Sequence, residues 1–95
     1  MIIGTLKINC HLHGVHSLKE KRTIIKSIVE RLRSRFNTSA SEVQANDNKR
    51  LAVIALAIVS NDSRFINKQL DTIIEFIRAD GRFSLGDIER QVFPI

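Results

Sequence analysis

Apolar and polar residues alternate from Ile2 to Leu12. Ile2, Gly4, Leu6, Ile8, Cys10 and Leu12 share one parity, while Ile3, Thr5, Lys7, Asn9, His11 and His13 share the other. A period of two with one apolar side predicts a half-buried strand, which Gly14 ends. Ser17-Leu18-Lys19-Glu20 reads as a capping box. In it, hydroxyl and carboxylate each take a backbone N–H that the first helical turn leaves unpaired. The helix it opens spans 17–36. Leu18, Ile25, Ile28, Val29, Leu32 and Phe36 fall on one face at about 100° per residue, with Ile24 at the margin. Asn37 is the expected terminator, because asparagine tolerates the left-handed conformation.

A weaker strand follows over Thr38–Ala45, with Ala40 and Glu42 on one parity and Val43 and Ala45 on the other. Asn46-Asp47-Asn48-Lys49 has the composition of a turn that accepts positive φ. Leu51–Val59 is apolar throughout and rich in β-branched residues, as a central strand should be. Two strands joined by a short polar turn predict a hairpin. Ser60-Asn61-Asp62-Ser63 offers several N-caps for a second helix near 62–80, where Ile66, Leu70, Ile73 and Ile77 make an apolar stripe flanked by Phe65 and Phe76. Asp80-Gly81 closes it, with glycine where a C-cap would stand. Phe83–Phe93 is a fourth strand, Gly86 a candidate bulge, and Pro94 prevents continuation.

The order βαββαβ allows few ways to fold. The common one is an α+β ferredoxin-like sandwich: a four-stranded antiparallel sheet of order 4-1-3-2 with both helices on one face. Within it, strands 1 and 3 are expected to be central, adjacent and parallel, so that their C-terminal ends meet at one edge of the sheet.

Length and composition narrow the class. Ninety-five residues, 43% apolar and 26% charged, suit one folded domain over 1–95 and argue against a disordered chain. A single cysteine excludes an intramolecular disulfide framework and fits a reducing compartment. The longest apolar run is too short for a membrane span, and the opening residues place charge after the apolar positions, the wrong order for a signal peptide. A cytoplasmic location, away from membranes, is expected.

Charge then changes the picture. Between Leu18 and Phe36 stand seven basic residues and two acidic ones, so this segment carries the whole net charge of +5. Lys19, Arg22, Lys26 and Arg33 fall within about 60° of arc on the helix. A localised basic stripe of this kind attracts polyanions, although a solvated helix can carry one for solubility alone. Phosphate contacts from such a stripe give salt-dependent affinity that is largely blind to sequence. With strands 1 and 3 side by side, His16, Ser17, Ser60 and Asn61 would form an anion site at two helix N-termini, with Arg64 adding charge. Capping alone also explains the serines, and Asp62 is expected to cap or to pair with Arg64.

Other chemistries are weaker. Base stacking on the sheet needs aromatic residues, but strand 3 has none and the chain lacks Trp and Tyr. An acylphosphatase-like phosphate loop at His13–His16, with Asn61 orienting water, lacks an arginine between Gly14 and Leu18. Cys10 alternates away from His11 and His13, and no carboxylate or second cysteine completes a metal site with His16. Neither a catalytic residue, a metal nor a cofactor is expected, and Cys10 is read as a small core residue. The open sheet face, with Ile3 and alternate residues of strand 3, suggests a protein interface, most simply a homodimer through that face or an edge strand.

The stretches Gly14-Val15-His16-Ser17-Leu18-Lys19-Glu20-Lys21-Arg22, Arg31-Leu32-Arg33-Ser34-Arg35-Phe36, Ala40-Ser41-Glu42-Val43 and Val59-Ser60-Asn61-Asp62 resemble the YlxP-like family, a bacterial domain of unknown function. The likeness runs over nearly the whole chain. It departs at Asn46–Lys49, where relatives often carry an aromatic residue. The resemblance implies a ferredoxin-like fold and, through genes that neighbour translation initiation and ribosome maturation factors, a ribosome-binding role. It brings no catalytic residue. The expected function is a non-enzymatic accessory protein that binds a ribosomal subunit or structured ribosomal RNA through its basic helix.

Overall fold

The computed structural model describes residues 1–95. Its elements are β1 (Ile2–Leu12), α1 (Leu18–Arg35), β2 (Ser39–Gln44), β3 (Leu51–Ser60), α2 (Ser63–Arg78) and β4 (Phe83–Pro94). The sheet order is β2-β3-β1-β4, the expected order read from the opposite edge. Every neighbouring pair is antiparallel.

The antiparallel β1–β3 pair corrects the expectation that these strands run parallel. The crossover through α1 returns the chain parallel to β1, as β2, and the following hairpin reverses it. β3 must therefore oppose β1. Ile2 lies opposite Ser60 and His11 opposite Leu51, so the two strands lead into their helices at opposite ends of the sheet.

The even residues of β1 and β3 face the helices. Leu6, Ile8 and Cys10 join Ala52, Ile54, Leu56 and Ile58 in one core with Ile25, Ile28, Val29 and Leu32 of α1 and Ile66, Leu70, Ile73 and Ile77 of α2. Burying each large aliphatic side chain stabilises the fold by about 1.5–3 kcal/mol. Gly4 is required for this packing, because a Cβ there would run into Ile66 and crowd Leu70. β4 is tied down by Arg90, which donates to Asp71 Oδ1 at 2.6 Å and to the Asn67 carbonyl at 2.9 Å.

Local endings follow the sequence with four differences. Ser17 Oγ accepts from Glu20 N at 3.1 Å as expected, while the Glu20 carboxylate reaches one residue past the cap and accepts from His16 N at 3.2 Å. α1 ends at Phe36 in an extended conformation rather than at a left-handed Asn37, because the Phe36 ring is buried edge-on against Phe76. Gly81 lies in the turn after α2 without positive φ; the α2 cap is Ala79. In the hairpin the left-handed residue is Ala45 (φ 62°) and none of the asparagines. The expected bulge is present: Ile8 faces Ile88 and Cys10 faces Leu85, leaving Gly86 and Asp87 in the extra step. A Cβ on Gly86 would stand 2.7 Å from His11 Nε2.

Away from the helices the sheet is less apolar than strand 3 suggested. Ala55 and Ala57 floor a shallow groove edged by Ser39, Ser41, Thr5, Lys7, Glu89 and Gln91. Val59, Ile3 and Phe93 form the one large apolar row, at the end of the sheet. No helix is long and apolar enough to cross a membrane.

Candidate nucleic-acid interface

α1 is amphipathic, and its inward face includes a charge. Lys21, one of the seven basic residues of the segment, is fully buried. Its Nζ donates to the Ala45 carbonyl at 2.6 Å and stands 3.0 Å from Glu42 Oε2. A buried ammonium needs such partners, and this one supplies the reason for the left-handed Ala45: the strained residue turns its carbonyl onto the lysine. Lys21 thereby fastens the β2–β3 hairpin to the first turn of α1.

The outward charges divide into two flanks. Lys19, Arg22 and Lys26 lie on the flank next to the edge strand β2 and are exposed. None of the molecule's five ion pairs involves them. Arg33, predicted as the fourth member of this stripe, is committed elsewhere. Its Nε and Nη2 both donate to the Ala40 carbonyl, at 3.0 and 2.7 Å, and clamp α1 to β2. The opposite flank carries Arg31 and Arg35, whose guanidinium carbons each stand 5.1 Å from the Phe76 ring centroid. Both guanidiniums lie within cation–π distance of the one ring, which holds them in place.

Beside this second flank, Asp80 accepts from Arg82 Nε at 2.9 Å and Nη2 at 2.7 Å, with Arg31 3.7 Å away. The hydrogen bonds from Arg82 hold the Asp80 carboxyl below the usual carboxylate range, and Asp80 raises Arg82 in turn. Burial, reinforced by Asp80, pushes the Cys10 thiol up to about 12, which makes it an inert core group.

The predicted anion site does not assemble. His16 and Ser17 lie beyond Leu12, whereas Ser60 and Asn61 follow the opposite end of β3, so the two helix N-termini are separated by the length of the sheet. Ser17 caps α1, Ser60 Oγ accepts from Asp62 N at 3.1 Å, and Asp62 Oδ1 accepts from Arg64 N at 2.9 Å. These serines and Asp62 perform local capping. Arg64 sits at the α2 end, apart from Lys19 and Arg22. The same separation removes Asn61 from the His13–His16 loop that a phosphate-cleaving site would need. His13 Nε2 instead bonds Ser84 Oγ at 2.6 Å.

The hairpin that the antiparallel arrangement does bring to the start of α1 carries Lys49 and Arg50. Both are exposed, and the Arg50 carbonyl accepts from Leu12 N at 2.8 Å. Sequence reasoning missed them because it placed the wrong loop at this end. It also passed over Arg31 and Arg35 as partners, although their i, i+4 spacing was a legible signal.

A family profile described as "Protein of unknown function (DUF503)" matches residues 3–90. The "Uncharacterized protein YlxP" of Bacillus subtilis (strain 168) is 32% identical over 91 residues, covering 96% of this chain and 94% of the relative. Among solved structures, the de novo designed protein Foldit4 aligns with a TM-score of 0.54 over 99% of this chain and 97% of its own, at 15% identity, a likeness of fold alone. The chain belongs to the DUF503 family of proteins of unknown function.

Proposed function

We propose that this protein is a non-enzymatic accessory factor that binds ribosomal particles, or the structured RNA within them, through the outward side of α1. The observation that carries the reading is the flank Lys19, Arg22 and Lys26: exposed, on one side of one helix, and without ion-pair partners. Unneutralised cations fixed on a rigid element release counterions when they meet phosphate, and that release supplies sequence-independent affinity. Lys49 and Arg50 extend the basic surface at the hairpin end. Co-sedimentation with ribosomal subunits tests the reading. Three phosphate contacts should make affinity fall about ten- to twenty-fold as salt rises from about 0.1 to about 0.3 M. Lys19→Gln, Arg22→Gln and Lys26→Gln combined should abolish most of that dependence. Absence from the pellet at every salt concentration would end the proposal.

The Val59–Ile3–Phe93 row favours a second reading, a protein contact and most simply a second copy of the chain. A variant with Val59→Ser and Phe93→Ser that retains ribosome pelleting would separate the two surfaces.

A further inference from the structure

The exterior of α1 has a cross-section that a single row of phosphates does not explain. At about 100° per residue, the flank of Lys19, Arg22 and Lys26 and the flank of Arg31 and Arg35 lie roughly 165° apart. Between them runs a ridge of Thr23, Ser27, Glu30 and Ser34, with Glu20 in the first turn toward the arginine side and no long apolar or aromatic side chain. The helix therefore presents two lines of cations, staggered along its axis with one in its N-terminal half and the other in its last turns, on either side of a strip of short, mostly hydroxyl-bearing residues. Resting on the RNA-binding reading above, we infer that α1 seats across the minor groove of an A-form RNA duplex, its two flanks on the two phosphate strands and its ridge over the groove floor.

The geometry selects among nucleic acids. A single strand has one phosphate line and is held elsewhere in nature by exposed aromatic platforms. None is available on α1, since Phe36 is buried and Phe76 is overlain by two guanidiniums. The B-form minor groove, about 6 Å wide, cannot admit a helix about 10–12 Å across. The B-form major groove can admit it, but is read by side chains that reach base edges, and this ridge is short apart from Glu30. The A-form minor groove is wide and shallow and displays 2′-hydroxyls, which Ser and Thr hydroxyls can both donate to and accept from. Glu30 faces this strip of hydroxyl donors, off the phosphate lines. Arg31 and Arg35 arrive ordered by Phe76, so little side-chain freedom is lost on contact.

The test is titration of the intact protein with three probes of equal length, about 16 base pairs or nucleotides: duplex RNA, the same sequence as single-stranded RNA, and as duplex DNA. Duplex RNA should bind at least about tenfold more tightly than either other probe at the same salt. The flank variant R31Q/R35Q should reduce the salt slope for duplex RNA by about 1.4–1.8, the share of two phosphate contacts. Because these arginines also stack on Phe76, R31K/R35K and a thermal melt accompany it. The lysine pair retains the charges and should restore most of the slope. Equal affinity for all three probes, or an unchanged slope in R31Q/R35Q, would overturn the groove assignment and leave ribosome binding standing. Failure to bind any probe would overturn it too, and ribosome pelleting in the same preparation then shows whether the broader reading survives.

Discussion

α1 and α2 lie on the same face of one sheet and contribute alike to one core, yet their outer surfaces differ. α2 carries Arg64, Lys68 and Arg78 against Asp71 and Glu75. Its two acids are both paired, Asp71 with Arg90 at 2.6 Å and Glu75 with Arg78 at 3.3 Å. α1 carries six exposed basic residues against Glu20 and Glu30, and only Arg31 has an acid within ion-pair distance. Packing required neither surface. A helix needs solubility on its outside, which α2 obtains with near-balanced charge. The excess on α1 repels itself and costs some stability in isolation. The partner proposed above, which supplies negative charge, would offset that cost.

The likeness inward can be broken first. Ile28→Ala in α1 and Leu70→Ala in α2 both empty fully buried sites and should each cost about 2–5 kcal/mol in urea unfolding. A cost below about 1 kcal/mol for Ile28→Ala would mean that α1 is not an equal partner in the core. Lys21→Ala sharpens the same point, since it leaves Glu42 inside without its counter-charge. Because Glu42 keeps 15% of its side chain exposed, the loss should be about 2–4 kcal/mol, below that of a fully enclosed pair. Lys21→Met with Glu42→Leu should recover most of it while freeing the hairpin from α1.

A smaller effect falls at the C-terminal end of α2. The Arg82 hydrogen bonds lower the Asp80 pKa in the folded state, so the unfolded chain binds that proton more readily. The corresponding stability is present above the unfolded carboxylate value, about 4, and is lost as pH falls through the depressed folded value. Asp80→Asn should cost about 1–2 kcal/mol at neutral pH and flatten the acid limb of a stability–pH profile. An unchanged acid limb would place the acid sensitivity elsewhere.

Much of the fold was legible because hydrophobic period and caps agree at almost every element. Ser17-Leu18-Lys19-Glu20, the Ile66–Ile77 stripe and the alternation of β1 each specify one local structure, and the bulge at Gly86 was marked by its glycine. The site was legible only in part. Charge arithmetic found α1 and helical angle chose Lys19, Arg22, Lys26 and Arg33, yet of these Arg33 clamps Ala40, and Lys21, counted in the net charge, turns inward. Helical angle alone does not separate a free cation from one that a neighbouring strand has captured. The composite anion site failed for a topological reason: a single reversal at the β2–β3 hairpin decides which loops share an end of the sheet. Chain direction, which no local motif at His16 or Asn61 records, set that outcome.

The contrast between the helices also yields the most direct test. Salt slopes for ribosomal-subunit binding are measured for the wild type, for the α1 variant K19Q/R22Q/K26Q, and for the α2 variant R64Q/K68Q, each confirmed folded by its melt. Surface changes of this kind should alter stability by no more than about 0.5 kcal/mol. The account predicts a slope reduced by about 2–2.7 in the α1 variant and unchanged in the α2 variant. Equal slopes in all three proteins, or a larger loss from α2, would contradict it.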